Sequence, residues 1–253
     1  MEKNQNMQEN EQISLQNKTI LITGGTTGIG RATAIYLASF GPKMLIFGRG
    51  EKELNDALKD IKAAGGNVIG LTADASKKED IERVFSKVDS ELGDLDILIN
   101  NAALGAEAIA EMSYDDQEYI VKTNLLGYMT IAHEALKRMK NKQAGQILIV
   151  GSMSADVREK GSSVYVATKA GIQGFTEALR KEVNESGIRV SLIEPGEVGS
   201  DMNKLTPEQQ RQKQQELKQL KAEDIANCIH YVLTRPKRVD IIEVKIRPHL
   251  QLI

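Results

Sequence analysis

The stretch Ile20-Leu21-Ile22-Thr23-Gly24-Gly25-Thr26-Thr27-Gly28-Ile29-Gly30-Arg31 decides the fold. Its three leading apolar residues read as a buried strand, and Ala32-Thr33-Ala34-Ile35-Tyr36-Leu37 after it reads as a helix. Between them lies a glycine-rich turn. Strand, glycine turn and helix together bring backbone N–H groups and a positive helix terminus against a phosphate. Each glycine has a physical duty: Gly24 permits the tight turn, Gly28 lets backbone approach a ligand, and Gly30 lets the helix pack close to the strand. Thr26, Thr27 and Ile29 complete the candidate phosphate turn. No Gly-Lys-Ser/Thr follows, which argues against a nucleoside-triphosphatase P-loop.

Strands and helices alternate outward from this turn. Apolar runs at Met44–Phe47, Val68–Leu71, Leu95–Ile99, Gln146–Val150, Ile188–Ile193 and Ile241–Ile246 read as strands. Helical stripes lie between them, at Glu51–Ala64, after a Ser76-to-Glu79 capping box, from Tyr114 to Met139 with a break near Gly127, at Ser163–Asn184, from Thr206-Pro207-Glu208-Gln209 to about Lys221, and at Ala222–Thr234. Near-continuous apolar strands separated by helices predict a seven-stranded parallel sheet covered on both faces, a doubly wound α/β domain of Rossmann type. One such domain over 18–253 follows a flexible tail at 1–17, and a polar lid is expected around 200–221. The tail lacks the apolar core of a secretory signal.

Bulk properties narrow the function. The 253 residues are 41% hydrophobic and 27% charged, a globular composition able to bury a large core. A net charge of −2 gives no reason to expect nucleic acid or an anionic membrane. No apolar run reaches the roughly 20 residues of a membrane span. The single cysteine, Cys228, rules out an intramolecular disulfide, fits a reducing, cytoplasmic setting, and reads as a small buried hydrophobe. The three histidines, His133, His230 and His249, show no metal-ligand spacing, so no metal site is expected.

In an open α/β sheet ligands gather at the carboxyl ends of the strands, where the strand order switches. The second strand ends on Gly48-Arg49. No acidic residue stands there to receive ribose hydroxyls, and the Arg49 guanidinium suits a 2′-phosphate, which points to NADP. Asp74 follows the third strand and Asn100-Asn101-Ala102-Ala103 the fourth. Ser152 follows the fifth, and then comes Tyr165-Val166-Ala167-Thr168-Lys169. Tyrosine and lysine four apart share a helix face. A neighbouring ammonium favours the phenolate and lowers a pKa near 10, as a general acid/base requires.

These residues, in this order, resemble the short-chain dehydrogenase/reductase family over nearly the whole chain from Lys18. The matching set is Thr23-Gly24-x-x-x-Gly28-Ile29-Gly30, Asp74, Asn100-Asn101-Ala102, Asn124, Ser152, Tyr165-x-x-x-Lys169 and Pro195-Gly196. The resemblance implies that Tyr165 exchanges a proton with the substrate oxygen and that Ser152 hydrogen-bonds that oxygen. It implies that Lys169 binds the nicotinamide ribose, that Asn124 holds a water, and that Asp74 contacts the adenine. Asn101 and Ala102 would flank the cofactor, and Pro195, Gly196, Val198 and Ser200 would line its nicotinamide end. Ala103 replaces a usual glycine, Ser200 a frequent threonine, and Ser154 rivals Ser152.

The implied function is reversible, NADP-dependent hydride transfer between an alcohol and a carbonyl. The charged lid and loop favour a small, polar substrate, and the Ile246-Arg247-Pro248-His249-Leu250 ending resembles a subgroup whose members often act on small hydroxy acids or hydroxy amino acids. The alternatives are a 3-oxoacyl thioester reductase and a non-catalytic NADP-binding regulator. The resemblance also implies a homotetramer. Leu125, Leu126, Tyr128 and Ile131 offer apolar surface for its pairing helices.

Overall fold

A computed structural model describes residues 12–200 and 205–252. Seven parallel strands form one sheet in the order β3-β2-β1-β4-β5-β6-β7: β1 (Thr19–Thr23), β2 (Lys43–Gly48), β3 (Asn67–Thr72), β4 (Ile97–Asn100), β5 (Gly145–Val150), β6 (Ile188–Pro195) and β7 (Glu243–Ile246). The register aligns Leu21 of β1 with Leu45 of β2 on one side and Leu98 of β4 on the other. The chain leaves β1 in one direction toward β3 and in the other toward β7, so the switch in strand order falls between β1 and β4.

Helices cover both faces because alternate residues of each strand point to opposite sides. Ile20, Ile22, Met44 and Ile46 pack beneath α1 (Gly28–Ala38), α2 (Glu51–Ala63) and α9 (Ala222–Leu233). Leu21, Leu45, Leu98 and Ile147 pack beneath α3 (Lys78–Lys87), α5 (Gly127–Lys142) and α7 (Ser163–Val183). The short α4 (Tyr114–Val121) passes through a wide turn at Lys122–Leu126 into α5. That turn lies just before the break read at Gly127. A Cβ on Gly127 would stand 2.4 Å from the Ala75 carbonyl oxygen, so glycine is what lets α5 approach the end of β3. The brief α6 (Ser154–Val157) and the polar α8 (Pro207–Gln215) complete the set, the latter opened by the expected Thr206–Gln209 capping box.

Several sequence expectations need adjustment. The capping box at Ser76 and Glu79 does not form. Asp74 accepts from the Ser76 N–H at 2.9 Å, and Asp80 accepts from the Asp74 N–H at 2.8 Å, so these two aspartates order the helix entry. Residues 1–11 of the tail lie outside the described residues, but the rest of it is docked. Leu15 is buried, the Ile13 N–H donates to the Thr234 carbonyl, and the Asn17 N–H donates to that of Gly41. Tyr128 and Ile131 are consumed by this chain's own core, whereas Leu126 is 53% exposed. Cys228 is half-buried against the α1–α9 core rather than fully enclosed.

Candidate active site

The carboxyl ends of the strands open into one cleft of about 1030 Å³. The glycine turn forms one wall. Gly24 has φ of +62° and Gly28 of +51°, values natural to glycine. A Cβ on Gly30 would lie 2.2 Å from the Gly24 carbonyl oxygen, so α1 could not start where it does with any larger residue. No side chain caps the start of α1 and no acidic residue stands in its first turn. Its N–H groups and positive terminus therefore face the cleft at Thr27, Gly28 and Ile29.

Across the switch point, Asn101 and Thr23 fasten the turn to β4. The Asn101 carboxamide donates to the Thr23 carbonyl at 3.0 Å and the Gly24 carbonyl at 3.3 Å. The Thr23 hydroxyl accepts from the N–H groups of Asn101 and Ala102 at 2.7 and 2.8 Å. Asn124, fully buried in the wide turn before α5, clamps the next stretch of wall. Its Oδ1 accepts from the Leu104 N–H at 2.8 Å and its Nδ2 donates to the Leu104 carbonyl at 2.7 Å. Gly30 and Asn124 thus stand behind the wall. The other sequence-predicted residues, from Gly24, Thr26 and Thr27 through Arg49, Asp74 and Ala102 to Pro195, Gly196, Val198 and Ser200, line the cleft itself.

At the end of the cleft beside Arg49 and Asp74 the structure adds two residues that sequence reasoning missed. Tyr119, on α4, hydrogen-bonds both Arg49 and Asp74. Glu53, in the first turn of α2, also lines this end, with its carboxylate over Gly50. The spacing around Gly48-Arg49 had shown no acid there, because Glu53 returns to the cleft only once α2 is wound.

The opposite end is drier. Lys169 on α7 is buried, and its ammonium donates to the Val150 carbonyl at 3.1 Å. Burial pulls its pKa down to about 8, against the opposing charge of Glu194. Tyr165, one helical turn earlier, has its ring 5.6 Å from the Lys169 nitrogen. Burial pushes its phenol above the ordinary value, a hydrogen bond with Ser152 pulls the other way, and the Glu159 charge adds to the rise. The depressed phenol expected from the lysine is therefore corrected. In this protein burial outweighs the hydrogen bond from Ser152, and the Lys169 ammonium is directed to the Val150 carbonyl.

The two serines differ in their partners. The Ser154 hydroxyl donates to Glu159 at 2.8 Å, whereas Ser152 stays beside Tyr165. Ser162 donates to the same Glu159 oxygen at 3.0 Å, making a polar rim at this mouth. Behind the wall sits Glu194, fully buried at the end of β6 and pushed up to about 7 chiefly by burial. No spacing signal in the sequence marks it. Of the expected lid, residues 201–204 lie outside the described residues, and 205–221 contribute nothing to the described wall.

A model of the short chain dehydrogenase family matches residues 18–211. The chain belongs to that family. An NADP-dependent 3-hydroxy acid dehydrogenase of Schizosaccharomyces pombe is 34% identical over 245 residues, covering 94% of this chain and 95% of that protein. Among solved structures, a short chain dehydrogenase from Burkholderia cenocepacia in complex with NADP is 25% identical, covers 93% of this chain and 98% of its own, and superposes with a TM-score of 0.82. An alcohol dehydrogenase from Thermococcus sibiricus complexed with 5-hydroxy-NADP is 26% identical, with coverage of 93% and 98% and a TM-score of 0.85. Family membership makes the chain one of a group of oxidoreductases. Among the described residues no helix is long and apolar enough to cross a membrane.

Proposed function

We propose that this protein is an NADP(H)-dependent oxidoreductase that interconverts an alcohol and a carbonyl on a small, polar substrate. The observation that carries the reading is the placement of Ser152, Tyr165 and Lys169 around one mouth of the cleft whose far wall is the glycine turn. The cleft suits a dinucleotide: the uncapped start of α1 would take the pyrophosphate, Arg49 a 2′-phosphate, Asp74 the adenine, and Lys169 the nicotinamide ribose. NADP in the fungal relative's name and in two superposable structures supports the same cofactor.

A bound reduced nicotinamide supplies the hydride. The chain's own residues do the rest. Ser152 donates a hydrogen bond to the substrate carbonyl oxygen, polarising it. Tyr165 gives its proton to that oxygen as the carbon is reduced, so the alcohol leaves neutral and the phenolate is reprotonated from solvent. A phenol held above its ordinary pKa is kept protonated for this donation, and in the reverse direction a charged Lys169 would favour its ionisation. The Ser154–Glu159–Ser162 rim offers hydroxyl and carboxylate groups beside Met153 and Val157, which supports a small substrate with hydrogen-bonding groups. Exposed Leu126 and Val121 support assembly into a homotetramer, which light scattering would test.

A turnover screen with NADPH against 3-oxo acids, ketoses, aldehydes and 3-oxoacyl thioesters tests the reading. Oxidation of NADPH with a small oxo acid, ketose or aldehyde is the expected result. Turnover confined to thioesters would replace the substrate class. Tight NADPH binding with no turnover anywhere would leave a cofactor-binding regulator.

A further inference from the structure

At the adenosine end of the cleft three side chains from three distant segments meet. Tyr119 is 70 residues from Arg49 and 45 from Asp74. The Arg49 Nη1 donates to the Tyr119 hydroxyl oxygen at 2.8 Å, and that hydroxyl donates its proton to Asp74 Oδ2 at 2.7 Å. The guanidinium lies 5.8 Å from the centre of the Tyr119 ring. A hydroxyl has one proton, and here it goes to Asp74. Its lone pairs are thereby aimed at Arg49, and the order of donors along the chain is fixed.

The consequence is electrostatic. Asp74 is held below the ordinary carboxylate range: burial opposes this, but the Ser76 N–H, the Tyr119 hydroxyl and the charge of Arg49 prevail. Asp74 is therefore an anion within reach of an arginine, with Glu53 also on this part of the wall. Without a spacer, Arg49 would fold onto the carboxylate in a fork-to-fork pair, the strongest arrangement open to it. Tyr119 stands between them as a neutral group. It occupies one of the five guanidinium N–H donors and leaves the others for another anion. It also holds a long, exposed side chain that would otherwise lose freedom on binding.

We infer that Tyr119 is a positioning residue for cofactor selection: it keeps Arg49 ordered, and unpaired from Asp74, so that the guanidinium can take the 2′-phosphate of NADP. The inference rests on the reading of Arg49 given above. It concerns how this chain prepares its arginine, not the chemistry of the reaction.

The test is the binding of NADPH and NADH, by fluorescence titration, to wild type, Arg49→Ala, Tyr119→Phe and the double variant. Phenylalanine keeps the ring and removes only the hydroxyl. Tyr119→Phe is expected to weaken NADPH about three- to tenfold, the scale of ordering one flexible side chain, while NADH changes less than about twofold. In the Arg49→Ala background the second substitution should cost NADPH nothing more, because the group it positions is gone. Equal loss of both cofactors in Tyr119→Phe, an unchanged NADPH affinity, or full additivity in the double variant would overturn the inference. If Arg49→Ala discriminates and Tyr119→Phe does not, the inference fails alone. If Arg49→Ala shows no selective loss, the reading of Arg49 fails and takes the inference with it.

Discussion

The two ends of the cleft are built on opposite principles. At the end proposed for the adenosine, Arg49 is exposed and Tyr119 and Asp74 are half-buried, and the three are organised by hydrogen bonds to one another. At the other end Lys169 and Asn124 are buried, and Tyr165 and Lys169 both have pKa values displaced by burial before any partner acts. Charges near water interact weakly and reversibly, which suits choosing between ligands. Charges withdrawn from water have strongly altered proton affinities, which suits moving a proton. In the proposed function one end therefore serves recognition and the other chemistry.

The largest expected effect breaks the buried end alone. Tyr165→Phe removes the proton donor and keeps the ring, so turnover should fall by about 10²–10⁴-fold, the usual worth of a positioned acid. Steady-state assays on the first substrate found would show this, and near-normal turnover would remove Tyr165 from its role.

A second effect concerns the buried carboxylate beneath that end. Glu194 is fully buried, 3.7 Å from the Lys245 ammonium, and its folded value is raised to about 7 from an ordinary 4.5. A raised acid favours folding while protonated. That contribution is complete below the unfolded value and is lost as pH rises through about 7. Glu194→Gln, neutral at every pH, should thus become more stable than wild type above pH 7, by roughly 1–3 kcal/mol. Denaturant unfolding at pH 5 and pH 8 checks it. An equal difference at both values would show that the carboxylate does not titrate in this range.

The smallest effect lies at the exposed end. Arg49→Ala should weaken NADPH by about tenfold, near one charge-assisted contact at a solvated site, and leave NADH almost unchanged. Titration with both cofactors measures it, and the difference should shrink as salt is raised.

The two ends were also unequally legible in the sequence. The glycine turn and Tyr165-x-x-x-Lys169 are local patterns whose spacing alone fixes a turn or a shared helix face. The strand ends that carry Asp74, Asn101 and Ser152 follow from apolar runs and a topological rule. Gly30 could be assigned its packing duty from spacing, and the 2.2 Å approach to Gly24 gives that duty a dimension. Tyr119, Glu53 and Glu194 were not legible. Tyr119 lies on a polar helix with no spacing relation to its partners, Glu53 is turned toward the cleft by one winding of α2, and Glu194 is a single acid at the end of a strand that no pattern marks. The direction of the Tyr165 shift was misread for the same reason. Sequence shows that a lysine is near, but not that the lysine is buried, that Tyr165 is largely withdrawn from water, or that the ammonium is bound to Val150.

The division of labour is tested most directly by measuring, side by side, the NADPH dissociation constant and the turnover at saturating NADPH for wild type, Arg49→Ala and Tyr165→Phe. Arg49→Ala should raise the dissociation constant about tenfold and leave saturated turnover within about twofold of wild type. Tyr165→Phe should leave the dissociation constant nearly unchanged and lower turnover at least about 10²-fold. If both variants lose affinity and turnover in parallel, the two ends of the cleft act as one unit and the account is contradicted.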